Sequence, residues 1–173
     1  ASFSVMANTL RGVYGTDVLL ATANSFTGSV LQADYTKKLA ASMIMPNGLM
    51  SRQRSMTGAE LKETVRAFVE GCEGGFVPFN RGSLPVVSGI AVEVKEAGGS
   101  YTLTGITRNG QPLRDDDTVT VTCLATSKQM EALLADKSGI PTDGDAWVKD
   151  TWRDYVSGGG AVLAEPENYM TLR

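Results

Sequence analysis

The residue types able to do chemistry in this chain are few, and their spacing argues against most reactions. There is no histidine among the 173 residues. A Ser-His or Cys-His nucleophile pair therefore cannot form. A two-metal hydrolytic cluster, which activates water and neutralises developing charge, lacks its usual nitrogen ligands. Asp115-Asp116-Asp117 places three acids just before a strand pattern, which reads as a solvated turn more readily than a calcium site. Asp143-Gly144-Asp145 lacks the spaced ligands and terminal Glu of an EF-hand loop. Gly158-Gly159-Gly160 has no neighbouring Lys and no strand-to-helix context, so it reads as a helix stop and not a phosphate loop. Arg52, Arg54 and Arg81 could gather as an anion patch. On an exposed strand Arg52 and Arg54 would share one face, and a solvated face is the preferred reading. Cys72 and Cys123 lie far apart without metal-like spacing, which favours two buried free thiols, although an oxidising compartment would permit a bridge. No catalytic, cofactor or metal residue is assigned.

The elements that would position any site follow from periodicity. The segment 3–13 reads as a helix with Phe3, Met6, Ala7 and Leu10 on one face. Val18 to Ala21 reads as a short buried strand, 34–43 as a helix and 48–54 as a strand. Thr57 and Glu60 form a T-x-x-E capping box ahead of a helix over 58–70, with Leu61, Val65, Phe68 and Val69 on its buried side and Gly71 at its end. From Val86 to Lys95 one alternating strand is expected, with Ile90, Val92 and Val94 on one face. Gly98-Gly99 turns the chain into a partner strand at 101–107, and Asn109-Gly110 marks another tight turn. A strand at 118–124 sets Val119, Val121 and Cys123 on one face. A helix from Thr126 to Lys137 opens on a second capping box. Asp145 is placed to cap a last helix carrying Val148, Trp152, Tyr155 and Val156, which Gly158 ends. Alternating helices and strands predict an α/β sandwich.

Length and charge agree with this. At 173 residues one domain can bury roughly 70% of its unfolded surface. An apolar fraction of 42% suits a mixed fold, and a net charge of −3 gives no pull toward nucleic acid. No apolar run reaches the length of a membrane span, and no signal peptide is present. The first residue is Ala1, so the chain is expected to be cut from something longer.

The order of pieces resembles the C-terminal domain of the 5′-nucleotidase family, periplasmic or cell-surface nucleotide hydrolases. Met56-Thr57-Gly58-Ala59-Glu60-Leu61-Lys62-Glu63, followed by Val86-Val87-Ser88-Gly89, carries the resemblance furthest. Ala7-Asn8-Thr9-Leu10-Arg11 and Gly15-Thr16-Asp17-Val18 look like the family's first helix and strand start. Met45-Pro46-Asn47-Gly48 stands where the family has Leu-Pro-Phe and a small residue. Asn109-Gly110-Gln111-Pro112-Leu113 after Ile106, the Trp147 to Val156 helix, and the closing Tyr169-Met170-Thr171-Leu172 complete a collinear series.

This resemblance implies a single domain over 1–173, a four-layer α/β/β/α sandwich of two packed mixed sheets covered by helices. It implies the substrate-specificity domain of a phosphoester hydrolase in nucleotide catabolism, inactive alone. The partner would be an N-terminal metallophosphoesterase domain of the same protein, holding two divalent metal ions, and the address periplasmic or extracellular. The family's nucleoside pocket departs here position by position. Thr22-Ala23-Asn24-Ser25-Phe26-Thr27 replaces an Asn-Gly-Gly-x-x-Arg segment, and Asn47 stands at one stacking ring. Ala125-Thr126-Ser127-Lys128-Gln129 carries neither the second ring nor Gly-Gly-Asp-Gly. Asn24, Ser25 and Asn47 remain as polar contacts, where the loops Thr22–Thr27, Met45–Gly48 and Ala125–Gln129 would converge, and Phe26, Phe76 or Phe79 could supply a ring from elsewhere. The competing readings are a small-molecule or peptidoglycan-fragment binding module and a scaffold domain without a ligand.

Overall fold

The structure, a computed structural model, describes residues 2–26, 36–44, 49–71, 85–125, 147–160 and 170–172. In chain order the elements are α1 (Ser2–Tyr14), β1 (Val18–Thr22), a 3₁₀ turn (Ala23–Ser25), α2 (Lys37–Ser42) and β2 (Met50–Thr57). After these come α3 (Gly58–Glu70), β3 (Pro85–Ser88), β4 (Ala91–Ala97), β5 (Ser100–Arg108), β6 (Gln111–Pro112), β7 (Thr118–Ala125), α4 (Val148–Ser157) and β8 (Met170–Leu172). One sheet has the order β2-β7-β1-β3, the other β6-β5-β4-β8. Both are mixed, because β1 runs parallel to β7 and β4 parallel to β8 while the remaining pairs are antiparallel.

Side-chain alternation in β1 shows why the layers form. Leu19 and Ala21 face a cluster with Met6, Ala7 and Leu10 of α1, Ala40 of α2, and Val148, Trp152 and Val156 of α4. Val18 and Leu20 face the opposite cluster, with Val119, Val121 and Cys123 of β7 and Val92, Val94 and Ile106 of the second sheet. A strand covered on both faces reads as a near-continuous apolar run, here Val18 to Ala21, and all five β1 residues are buried. α3 packs its Leu61, Val65, Phe68 and Val69 into the same inter-sheet core, against β2 and β5. Two packed mixed sheets covered by helices make the α/β sandwich expected from the sequence.

The capping box of α3 forms as expected. Thr57 Oγ1 accepts the Glu60 N–H at 3.2 Å, and Glu60 Oε2 accepts the Thr57 N–H at 2.8 Å. The bend before α3 needs Gly58, because a Cβ there would overlap the Arg114 carbonyl oxygen.

Four expectations are corrected. The alternating run 86–95 is two strands in different sheets, since β3 pairs with β1 while β4 pairs with β5. The break is Gly89, at φ +86°. A Cβ on Gly89 would overlap the Asp17 carbonyl oxygen, so the chain can cross between sheets only on a glycine. The strand expected at 48–54 covers Met50–Thr57 and runs directly into α3, held by eight register pairs to β7 from Met50↔Ala125 to Thr57↔Thr118. The last helix opens at Trp147, whose side chain makes no cap bond, while Asp145 lies outside the described residues. Arg52 and Arg54 do not form a solvated face. Arg54 is 13% exposed in its side chain and meets Glu60 at 3.4 Å, because that face of β2, shared with buried Met56, lies beneath α3. Arg81, the expected helix at Thr126 to Lys137, and the first part of the helix expected at 34–43 fall outside the described residues.

Candidate functional site

The parallel pair β1 and β7 ends at Thr22 and Ala125, which lie level with each other in the register Leu20↔Cys123. Neighbouring pairs extend this row across the sheet: Ala125 faces Met50, Met50 bridges to Trp147, and Thr22 faces Pro85. In sheets with parallel strands, ligands settle outside the carboxyl ends, where loops leave in different directions. Here β1 leaves through the 3₁₀ turn Ala23–Ser25, and Phe26 bridges to Ile44. The described flanks of the three loops expected to converge therefore share one end of the first sheet.

The expected contact residues occupy different environments. Asn24 is exposed at the crest of the turn. Ser25 is 1% exposed, with its hydroxyl 3.4 Å from that of Thr22. The Asn24 side chain is thus open to solvent at this end, whereas the Ser25 hydroxyl is covered. Asn47, Phe76 and Phe79 lie outside the described residues. Phe26 is 2% exposed and stacks on Phe3, with ring centroids 6.1 Å apart and planes at 27°. That ring belongs to the core beneath α1 and is not free to sandwich a ligand. Among the described residues, the ring that is open at this end is Trp147, 47% exposed. Sequence reading missed it by treating it as the opening of an amphipathic helix. The signal was its offset, since the buried series of α4 is Val148, Trp152 and Val156, and Trp147 stands off that face.

The acidic run at Asp115–Asp117 is committed elsewhere, while Cys72 and Asp143-Gly144-Asp145 lie outside the described residues. Asp115 pairs with Lys62 at 2.7 Å, Asp116 holds Arg114 at 2.7 and 3.0 Å, and Asp117 accepts the Arg114 N–H at 2.9 Å. Cys123 is buried and takes part in no disulfide. Among the described residues no group of three or more His, Cys, Asp or Glu side chains could hold a metal ion.

A second polar centre sits at the opposite end of β1. Asp17 Oδ2 accepts the Thr120 N–H at 2.8 Å and its hydroxyl at 3.0 Å, and Oδ1 meets Arg108 Nη2 at 2.6 Å. Thr120 belongs to the first sheet and Arg108 to the second, so one carboxylate clasps both. Burial pushes the Asp17 carboxyl up, but the two Thr120 bonds and the Arg108 and Arg11 charges outweigh it, holding the pKa below the ordinary carboxylate value. Close by, Arg11 Nε donates to Ser88 Oγ at 2.8 Å, and Ser88 bonds to Asn8.

No protein-family model matches the chain, and no curated protein sequence does. Solved structures do. A 5′-nucleotidase precursor of Thermus thermophilus superposes with a TM-score of 0.68 at 15% identity, over 99% of this chain and 34% of that one. The fold is that of the C-terminal domain of 5′-nucleotidases. The NAD nucleotidase of Haemophilus influenzae gives 0.63 at 14% identity, over 98% and 33%. The sulfate thiohydrolase SoxB of Thermus thermophilus, in complex with glycerol, gives 0.54 at 12% identity, over 96% and 31%. The chain thus spans about a third of the length of these proteins. This 5′-nucleotidase-type fold occurs in hydrolases of differently named substrates, so it does not by itself select a ligand. No helix among the described residues is long and apolar enough to cross a membrane.

Proposed function

We propose that this domain is the substrate-contacting, non-catalytic part of a 5′-nucleotidase-like phosphoester hydrolase. Its partner in that reading is a metallophosphoesterase domain of the same protein, which supplies two divalent metal ions and the hydrolytic water. The observation that carries the proposal is the exposed Asn24 turn at the carboxyl ends of β1 and β7, in a fold shared with nucleotide hydrolases. Asn24 would hydrogen-bond the ligand's polar edge, with Trp147 as the nearest open ring in the same row. Catalysis lies outside the domain in this reading, since a chain without histidine offers no Ser-His or Cys-His pair. A periplasmic or extracellular setting accompanies this reading through the relatives of this fold.

Calorimetry with adenosine and AMP tests it. Saturable heat that falls roughly fivefold in affinity on Asn24→Ala, the loss of one hydrogen bond of about 1 kcal/mol, supports the reading. A second reading, a small-molecule or scaffold domain that has left nucleotides behind, is favoured by the burial of Phe26. It gains if neither compound gives heat. Hydrolysis of AMP by the isolated domain, with or without added divalent ions, would overturn its assignment as non-catalytic.

A further inference from the structure

An open groove of about 670 Å³ lies between the β5–β6 hairpin and the segment leading into β7, lined by Arg108, Asn109, Gln111, Pro112, Arg114, Asp117 and Thr118. Its size falls in the range of small-molecule sites. It is remote from the Asn24 turn. Thr118 and Ala125 are the two ends of β7, roughly 23 Å apart at the rise of a strand.

The walls carry several polar groups that these residues' own hydrogen bonds do not use. Arg108 uses Nη2 on Asp17 at 2.6 Å, so its remaining N–H groups have no protein acceptor among the described residues. Arg114 uses Nε and Nη2 on Asp116, leaving Nη1. The side chains of Asn109, Gln111 and Thr118 make no protein hydrogen bond among the described residues. The backbone beneath is pinned by Leu113 N–H to Ile106 O at 3.0 Å, Gly58 N–H to Asp117 O at 2.7 Å and Ala59 N–H to Asp115 O at 3.1 Å. A backbone fixed before binding loses less entropy on binding.

Charge decides the ligand class. The guanidiniums of Arg108 and Arg114 are matched by the carboxylates of Asp17, Asp116 and Asp117, so there is no surplus positive charge to hold a phosphate dianion. What remains is a mixed set: guanidinium and amide donors, a hydroxyl, and amide and carboxylate acceptors. Hydroxyl groups, each both donor and acceptor, match such a set. The Pro112 ring and the arginine stems add apolar surface for a sugar's C–H face. We propose that this groove is a binding site for a neutral polyhydroxylated molecule of mono- or disaccharide size, independent of the site at the Asn24 turn.

The test is an amide NMR titration with maltose and, separately, with inorganic phosphate. The expected result is saturable movement of the Asn109, Gly110, Gln111 and Thr118 amides with maltose, with a dissociation constant on the order of millimolar. Gln111→Ala and Arg114→Ala should each weaken it at least threefold while the remaining spectrum stays native. Neither residue takes part in the Asp17 clasp, so misfolding is not expected. Shifts that stay linear to about 50 mM maltose, or saturation by phosphate and not by maltose, would overturn the proposal. Neither result bears on nucleotide binding at Asn24.

Discussion

Replacing Asp17 by Ala should destabilise the domain more than an ordinary surface substitution does, and in a pH-dependent way. The carboxylate is 36% exposed and its partner Arg108 30% exposed, so the ion pair alone is worth up to about 1 kcal/mol. The two Thr120 bonds, at 2.8 and 3.0 Å, are charge-assisted, worth about 1.5–3 kcal/mol each when dry. Solvent access discounts both, and a total of about 2 kcal/mol is expected. For a domain of this size that is a fall of roughly 4–8 °C in melting temperature. Asp17→Asn should lose about half as much, since the amide oxygen can keep one Thr120 bond. Because the folded pKa lies below the unfolded one, the contribution is complete above an unfolded pKa of about 3.9. It disappears as pH falls from there through the folded pKa. Urea midpoints of wild type and Asp17→Ala between pH 7 and pH 3 would show the gap closing at the acid end. A gap of the same size at both ends would mean that Asp17 acts through packing, and no gap at pH 7 would remove the clasp altogether.

Gly89→Ala should abolish the native fold, because its added methyl meets the Asp17 carbonyl and φ +86° is strained for any L side chain; retained chemical-shift dispersion would contradict this. Thr57→Ala removes one arm of the capping box and should cost about 1 kcal/mol, read as a melting point roughly 2–4 °C lower. Trp152→Ala, at a residue 0% exposed, should cost about 3–5 kcal/mol, whereas Trp147→Ala, at 47% exposed, should change stability by less than about 0.5 kcal/mol. Equal losses at the two tryptophans would show that Trp147 is packed and not open.

The candidate site was half legible in the sequence. Asn24 could be placed at the end of the first strand because β1 is a short apolar run followed by small polar residues, a local pattern. Its companion Ser25 looked equivalent. It is buried because the 3₁₀ turn rotates it toward Thr22, and a one-residue rotation leaves no mark in composition. Phe26 could be named as a spare aromatic, but its stacking on Phe3 depends on where α1 lies over the sheet.

By itself the sequence determined what nearest neighbours along the chain decide. The capping box at Thr57 and Glu60, the amphipathic faces of α1, α3 and α4, the Asn109-Gly110 turn and the alternation in β7 all follow from interactions spanning a few residues. The lack of histidine likewise excluded a Ser-His or Cys-His pair without any fold. Tertiary structure alone decided what rests on partners distant in the chain. Gly89 must be glycine because Asp17 passes within contact of it. Arg54 is largely covered because α3 folds back over its strand. Asp17 clasps two sheets only because Arg108 and Thr120, 91 and 103 residues away, are brought to its two oxygens. Local preferences are short-ranged and can be read off the chain, whereas close approach, burial and charge pairing depend on which elements the shared core brings together.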